Sequence, residues 1–155
     1  MTQEIERKFL MAPDFYIDSF KYRYTWSLIE QDYLLDKNNH TIRVRTNGDN
    51  GYMTYKAPSK GISRTEIEFR IPRFIARMLM GKKRIEKIRY LLKGEDGKLW
   101  EIDKFLGENY GLWLAEIELT YEDEPFIIPN IVGDEVSHDS RYYNSYLYKH
   151  PYKSW

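Results

Sequence analysis

The feature that most restricts this chain is a short run near its start, Glu4-Ile5-Glu6-Arg7-Lys8, with charges on alternate positions. Alternate side chains of a β-strand point to one face, so Glu4, Glu6 and Lys8 share a face. The pattern recurs in Arg43-Val44-Arg45, Glu66-Ile67-Glu68-Phe69-Arg70, Lys87-Ile88-Arg89, Glu101-Ile102-Asp103 and Glu116-Ile117-Glu118. An ordinary sheet turns its apolar face inward and its charged face to water, and any one of these segments alone fits that arrangement. Together they sort charges by strand, and like charges brought side by side destabilise a sheet unless something bridges them.

The acidic pairs Glu4/Glu6 and Glu116/Glu118 have the chemistry of oxygen ligands for a hard divalent cation, Mg²⁺ or Mn²⁺. The basic pairs Arg43/Arg45 and Lys87/Arg89 suit phosphate oxygens, arginine in bidentate fashion. A barrel of about eight strands leaves room for one small ligand. Metal, phosphate and opposing charges together offset the repulsion that each cluster suffers alone. Long antiparallel strands joined by short turns favour a sandwich or an up-and-down barrel, and the charged inner face leads to the expectation of a mainly β (α+β) fold: an eight-stranded antiparallel closed β-barrel, a tunnel with a charged lumen and a few flanking helices.

Eight candidate strands carry this reading, at Gln3–Leu10, Tyr24–Leu35, Thr41–Thr46, Tyr52–Ala57, Arg64–Ile71, Ile85–Lys93, Leu99–Phe105 and Leu112–Tyr121. Turn signals separate most of them, including Asn47-Gly48-Asp49-Asn50-Gly51 and Gly94-Glu95-Asp96-Gly97. One or two helical turns are expected over Asp14–Phe20. A helix opens at Pro72 and ends at Gly81, its stripe of Phe74, Ile75, Met78 and Leu79 packing against the outside of the sheet. Pro125–Pro129 reads as irregular or as an edge strand. Asp139 is placed to cap a last helix carrying Tyr142, Tyr143, Tyr146 and Leu147.

A chain of 155 residues fits one domain spanning 1–155. Without cysteine there is no disulfide framework and no thiolate chemistry, which is compatible with a reducing cytoplasm. No signal peptide is read at the start, and no apolar run approaches the roughly 20 residues that cross a bilayer. The formal net charge is zero, from 24 basic and 24 acidic residues, which argues against nucleic-acid binding by bulk charge. Tyr and Ile on the outer wall allow a homodimer. His40, read in a turn, His138 and His150 are scattered and suggest no metal site, and the hairpin glycines form no phosphate loop.

Glu4-x-Glu6-x-Lys8 resembles the ExExK signature of the CYTH, or triphosphate tunnel metalloenzyme, superfamily. Arg43-x-Arg45, Lys56, Arg64-x-Glu66-x-Glu68, Glu86-Lys87-x-Arg89-Tyr90, Glu101-x-Asp103, Glu116-x-Glu118 and Asp139-x-Arg141-Tyr142-x-Asn144 resemble, in order, the further motifs of its short bacterial members. The resemblance implies an eight-stranded tunnel that binds a small-molecule triphosphate with a divalent metal; the charge balance and the lack of a long apolar run lead to the expectation of neither nucleic acid nor membrane as partner. The resemblance also implies metal ligation by Glu4, Glu6 and Glu118 with Glu116 close by. It implies phosphate binding by Lys8, Arg43, Arg45, Lys56, Lys87 and Arg89, with Arg141 at a basic position near the C-terminal helix. Tyr33 falls where similar triphosphatases carry a tyrosine that partners the signature lysine, so Lys8 and Tyr33 are the candidate catalytic residues.

The expected activity is hydrolysis of inorganic tripolyphosphate to pyrophosphate and phosphate, with water as nucleophile and Lys8 stabilising the developing charge. Thiamine triphosphate hydrolysis and class IV-type adenylate cyclisation are the enzymatic alternatives, with Tyr24, Trp26 or Tyr110 as candidates to stack on an organic group at the tunnel mouth. A polyphosphate or nucleotide sensor is the alternative without turnover.

Overall fold

In the computed structural model, which describes residues 2–17 and 24–155, every charge-alternating segment is a strand. The elements are β1 (Thr2–Met11), β2 (Tyr24–Lys37), β3 (His40–Asn47), β4 (Asn50–Lys56), β5 (Ser63–Pro72), α1 (Arg73–Leu79), β6 (Ile85–Lys93), β7 (Leu99–Phe105), β8 (Trp113–Glu118), β9 (Val132–Glu135) and α2 (Asn144–Lys149). Eight of the strands close on themselves in the order β1-β5-β4-β3-β2-β6-β7-β8, and β8 returns to β1. The first strand makes the closure. Its Thr2–Ile5 half pairs with β5, and its Glu6–Leu10 half pairs with β8. All these pairings are antiparallel, as the expected barrel requires.

Pleating sorts the residues as the alternation predicts. Lys8 on β1, Lys87 on β6, Asp103 on β7 and Glu116 on β8 are buried inside the barrel. Two residues further along each of these strands the same inward row turns apolar, reaching Leu10, Ile85, Phe105 and Leu114. Leu147 of α2 packs into this group with Leu112, so the C-terminal helix seals one end of the barrel with a hydrophobic plug.

The larger apolar cluster lies outside the wall. Ile5, Phe9, Leu92, Trp100, Ile102, Ala115 and Ile117 form it, and Leu119, Ile131, Phe15 and Phe126 cover it. That cover is chain from the β1–β2 and β8–β9 connections. The connection after β8 also supplies β9, a strand the sequence did not announce, which pairs with Phe9 and Met11. Pro125–Pro129 is irregular.

Helix α1 departs from expectation. Ala76 is its buried residue, whereas Phe74 and Met78 are 64% and 76% exposed. The reason is close approach. A Cβ on Gly51 of β4 would stand 2.9 Å from the Ile71 carbonyl oxygen and 3.0 Å from the Ala76 Cβ. The helix is thus seated on the strand by its small residue, with its large apolar groups turned away.

The last helix is also broken in two. The Asp139 carboxylate accepts a hydrogen bond from the Arg141 amide and caps a 3-10 turn over Ser140–Tyr142, and α2 begins afresh at Asn144. The β2–β3 turn uses Asn38 and Asn39 at φ 52° and 62°, a conformation asparagine tolerates. His40 opens β3, where its ring meets the Tyr55 hydroxyl at 2.7 Å. The helical turns expected over Asp14–Phe20 lie partly outside the described residues; Pro13 and Asp14 form a turn. Among the described residues no helix is long and apolar enough to cross a membrane.

Leu147 is fully buried in the plug, so Leu147→Ala is expected to cost about 2–5 kcal/mol. Urea unfolding followed by circular dichroism measures it, and a loss under about 1 kcal/mol would show that α2 does not hold the barrel end.

Candidate functional site

The lumen holds a cavity of about 290 Å³, lined among the described residues by as many basic as acidic side chains, seven of each. Each strand delivers its share because inward positions recur every second residue. Strand β1 contributes Glu4, Glu6 and Lys8; β3 contributes Arg43 and Arg45; β6 contributes Lys87 and Arg89; β8 contributes Glu116 and Glu118. Lys56 and Tyr33 face the same space from β4 and β2. Eleven of the twelve site residues expected from sequence thus meet in one cavity. Arg141 does not line it. Its guanidinium pairs with Asp139 at 2.6 Å and lies over the Trp155 ring on the surface.

The charges form a chain of alternating sign. Lys87 reaches Asp103 at 2.5 Å, Arg89 meets Asp103 at 2.7 Å and Glu116 at 3.0 Å, and Lys8 meets Glu116 at 2.7 Å and Glu6 at 3.4 Å. A second group joins Lys56 to Glu4 at 2.5 Å and to Glu66 at 2.9 Å. Burial opposes every one of these charges, and the pairing decides the outcome. For Lys8, burial pushes the ammonium down, but Glu116 and Glu6 pull it well above the usual lysine range. Glu116 is likewise held far below the usual carboxylate range by Lys8, Lys87 and Arg89 against the effect of its burial.

Lys87 is shifted down despite its pairing. Burial and the like charge of Arg89 outweigh Asp103, because Asp103 is shared and Arg89 takes the bidentate contact. The phenol of Tyr33 is pushed up to about 12 by burial, against the pull of Arg43 and Lys8. It therefore stays protonated, and its oxygen accepts a 3.1 Å hydrogen bond from Gln31 Nε2.

Two regions of the lumen are not balanced. On β3, Arg43 and Arg45 share Glu68 at 3.8 and 3.2 Å, and the Nε atoms of both arginines are buried without a hydrogen-bond partner. Burial and Arg43 lower Arg45 to about 10. On β1 and β8 the excess is negative. Burial and the neighbouring Glu4, Glu6 and Glu66 push Glu118 up, and burial with Glu116 raises Glu6. These carboxylates are hard oxygen donors that repel one another, which suits a divalent cation. Among the described residues no three acidic or histidine side chains already stand at ligating distance; lysine ammonium groups hold Glu4, Glu6 and Glu116 instead.

Sequence reasoning left several lining residues without a role. Arg64 clamps the rim, donating to the Asn39 carbonyl at 3.0 Å, to Thr41 Oγ1 at 3.2 Å and to the Ala57 carbonyl. Thr54 is fully buried and donates to Glu68 at 2.8 Å. Ser137, Tyr143, Asn144 and Ser145 line the lumen from the C-terminal segment; only their place after the last charged strand hinted at this. Tyr24, Trp26 and Tyr110 do not line the cavity. Trp26 and Tyr110 are 66% and 62% exposed, and Tyr24 packs on Tyr90.

A closed antiparallel tunnel with a charge-lined lumen defines a class built to hold a small polyanion together with cations. The chain belongs to the CYTH domain family, whose pattern it matches over residues 2–144. It is 44% identical to an inorganic triphosphatase of Acetivibrio thermocellus, over 100% of this chain and 99% of that protein. It is 38% identical to an inorganic triphosphatase of Nitrosomonas europaea, over 93% of this chain and 95% of the other. The barrel superposes on the crystal structure of an inorganic triphosphatase with a TM-score of 0.64 at 34% identity, covering 95% of each chain.

Burial pushes Glu101 up to about 7, helped by Glu116, Asp103 and Glu6 and opposed by Arg89. A carboxyl raised in the folded state loses stability for the protein as pH climbs from its ordinary value of 4.5 to about 7. Glu101→Gln removes that loss. With chelator present, the melting temperature of Glu101→Gln relative to the parent should be higher at pH 8 than at pH 5, and an equal difference at both pH values would refute the shift.

Proposed function

We propose that this chain hydrolyses inorganic tripolyphosphate to pyrophosphate and orthophosphate inside the tunnel, with Mg²⁺ or Mn²⁺. The observation that carries this is the paired imbalance of the lumen. Unpartnered arginine nitrogens on β3 offer sites for phosphoryl oxygens, and mutually repelling carboxylates on β1 and β8 offer oxygen ligands. The identity with the two inorganic triphosphatases over nearly full length supports the same substrate. So does the lining, in which Tyr33 and Tyr143 are the aromatic residues among those described. Both are engaged with the protein, the Tyr33 ring edge-on against Tyr148 and the Tyr143 hydroxyl on the Ser137 carbonyl, which favours an inorganic chain over the cyclase and thiamine triphosphate alternatives. The absence of cysteine is compatible with a cytoplasmic enzyme.

The division of labour follows from position. Arg43, Arg45, Lys56, Lys87 and Arg89 bind phosphoryl oxygens and set the chain in line. Glu4, Glu6, Glu116 and Glu118 would hold the divalent cation. When bound, such a cation neutralises phosphate charge and lowers the pKa of a coordinated water. Lys8 stays protonated between Glu6 and Glu116 and places a fixed positive charge beside the scissile bond. Tyr33, neutral and turned into the lumen, donates its hydroxyl proton in a hydrogen bond to a phosphoryl oxygen. A water oxygen bonds to the terminal phosphorus, the bridging P–O bond breaks, and the bridging oxygen leaves with pyrophosphate. The protein contributes mainly placement and charge.

Pure protein given tripolyphosphate, thiamine triphosphate or ATP, each with Mg²⁺, Mn²⁺ or chelator, should release orthophosphate from tripolyphosphate preferentially, and chelator should abolish release. Lys8→Ala and Glu6→Ala should each lower turnover at least about a hundredfold. Cyclic AMP and pyrophosphate from ATP would overturn the assignment in favour of a cyclase, and tight binding without product would overturn it in favour of a sensor.

A further inference from the structure

Asp32 is a buried carboxylate that the phosphate chemistry leaves unused. It is 5% exposed and lies one residue before Tyr33. Pairing of β2 with β6 ends at Gln31 and Ile85, so β6 offers Tyr33 no ladder partner. On the other side the β2–β3 register shifts between Tyr33 and Leu35. At this irregular point Asp32 Oδ1 accepts the Tyr33 N–H at 2.7 Å. Its Oδ2 accepts the Gly81 N–H at 2.7 Å, from the connection that follows α1. Burial, helped by the nearby Asp32 charge, holds the Tyr148 phenol of α2 up to about 12. The Tyr148 ring in turn packs edge-on against the Tyr33 ring, with centroids 5.3 Å apart, and Lys83 lies over its face at 4.7 Å.

We propose that Asp32 is the positioning residue for Tyr33, tying the bulged backbone of β2 to the chain after α1 in a clamp that aims the Tyr33 hydroxyl into the lumen, with the Tyr148 ring of the C-terminal helix packed against the Tyr33 ring. It rests on the triphosphatase function proposed above. A carboxylate suits the task because it accepts from several donors at once and offers none of its own. An amide of the same shape turns an N–H toward one of the backbone donors, and the clamp loses a contact without losing volume. The plug helix is thereby coupled to the candidate catalytic tyrosine through Tyr148, so α2 both closes the barrel and steadies a side chain inside it.

The test is a double-mutant cycle on tripolyphosphate hydrolysis with Mg²⁺, using the parent, Asp32→Asn, Tyr33→Phe and the double variant. Asp32→Asn should lower kcat by about tenfold to a hundredfold while KM stays within about threefold. In the Tyr33→Phe background the same change should cost no more than about twofold. Tyr148→Leu, which removes the ring packed on Tyr33, should repeat the pattern more weakly. Melting temperatures record the common structural cost, which should be equal in both backgrounds. An equal kcat loss in both backgrounds, or full turnover by Tyr33→Phe, overturns the proposal.

A second readout needs no turnover. With 3-fluorotyrosine incorporated, the fluorine resonance that vanishes in Tyr33→Phe should shift in Asp32→Asn while that of Tyr16 stays in place. An unmoved Tyr33 resonance overturns the clamp, whereas absence of phosphate release by the parent protein would overturn the triphosphatase assignment instead.

Discussion

The structure depends on Asp103, a fully buried acid gripped by Lys87 and Arg89 at 2.5 and 2.7 Å. An isolated charge at that depth costs several kcal/mol. Lone Lys87 would tend to lose its proton. Asp103 solves this by standing at the head of an alternating series that runs through Arg89, Glu116 and Lys8 to Glu6. Removing one member exposes its neighbours to unpaired burial, so the series acts as a unit. It is also why the barrel can be closed at all, because inward-facing rows of charge on seven of its eight strands tolerate one another only when opposite signs meet across strands.

A charged lumen displaces the hydrophobic core. Apolar burial has to be found elsewhere, and the chain finds it in two places. Outside the β1, β7 and β8 wall, Phe9, Trp100, Ile102 and Ile117 are roofed by Phe126, Ile131 and Phe15. At the barrel end, the inward rows turn apolar and receive Leu147. Long irregular connections are usually surface features. Here the β8–β9 connection is part of the core, and its Asp96 and Glu124 contacts fasten it. Asp96 accepts the Ile127 amide at 2.7 Å, and Glu124 accepts the Thr120 amide at 2.5 Å and pairs with Lys98.

The strands, their order along the chain and the inward charges were legible because period-two alternation is a local signal and the charges themselves marked the face. The apolar ends of the same rows were written in the same register at Leu10, Ile85, Phe105 and Leu114, but local pattern does not say whether an apolar row faces a plug or a wall. The stripe on α1 misled for a related reason. Periodicity identified an apolar face at Phe74 and Met78, whereas contact distance selected Ala76, since only a small residue lets the helix reach Gly51. Asp32 was invisible as a clamp because its partner Gly81 lies 49 positions away, and Tyr148, which packs on the Tyr33 ring, lies 115 positions beyond Tyr33. Arg141 matched a motif, yet Asp139, two residues before it, claims its guanidinium.

Balance and imbalance divide the lumen into charges that are already paired and charges that are not. In the matched series at Asp103 and Glu116 each charge has a partner, so Lys87, Arg89 and Glu116 would exchange existing contacts for those of a ligand. The unmatched charges lie on opposite walls, since β3 is four strands from β8 by either route around the barrel. A polyanion against Arg43 and Arg45 and a cation against Glu118 and Glu6 would each complete a wall that the protein leaves incomplete. Neither would be favoured in the other position. Polarity across the tunnel would therefore orient a phosphate chain bound there, and the electrostatic strain held in the two walls would be relieved fully by both kinds of ligand together. Because a ligand that binds the folded state alone stabilises it, the same strain makes the stability of this barrel depend on what fills it.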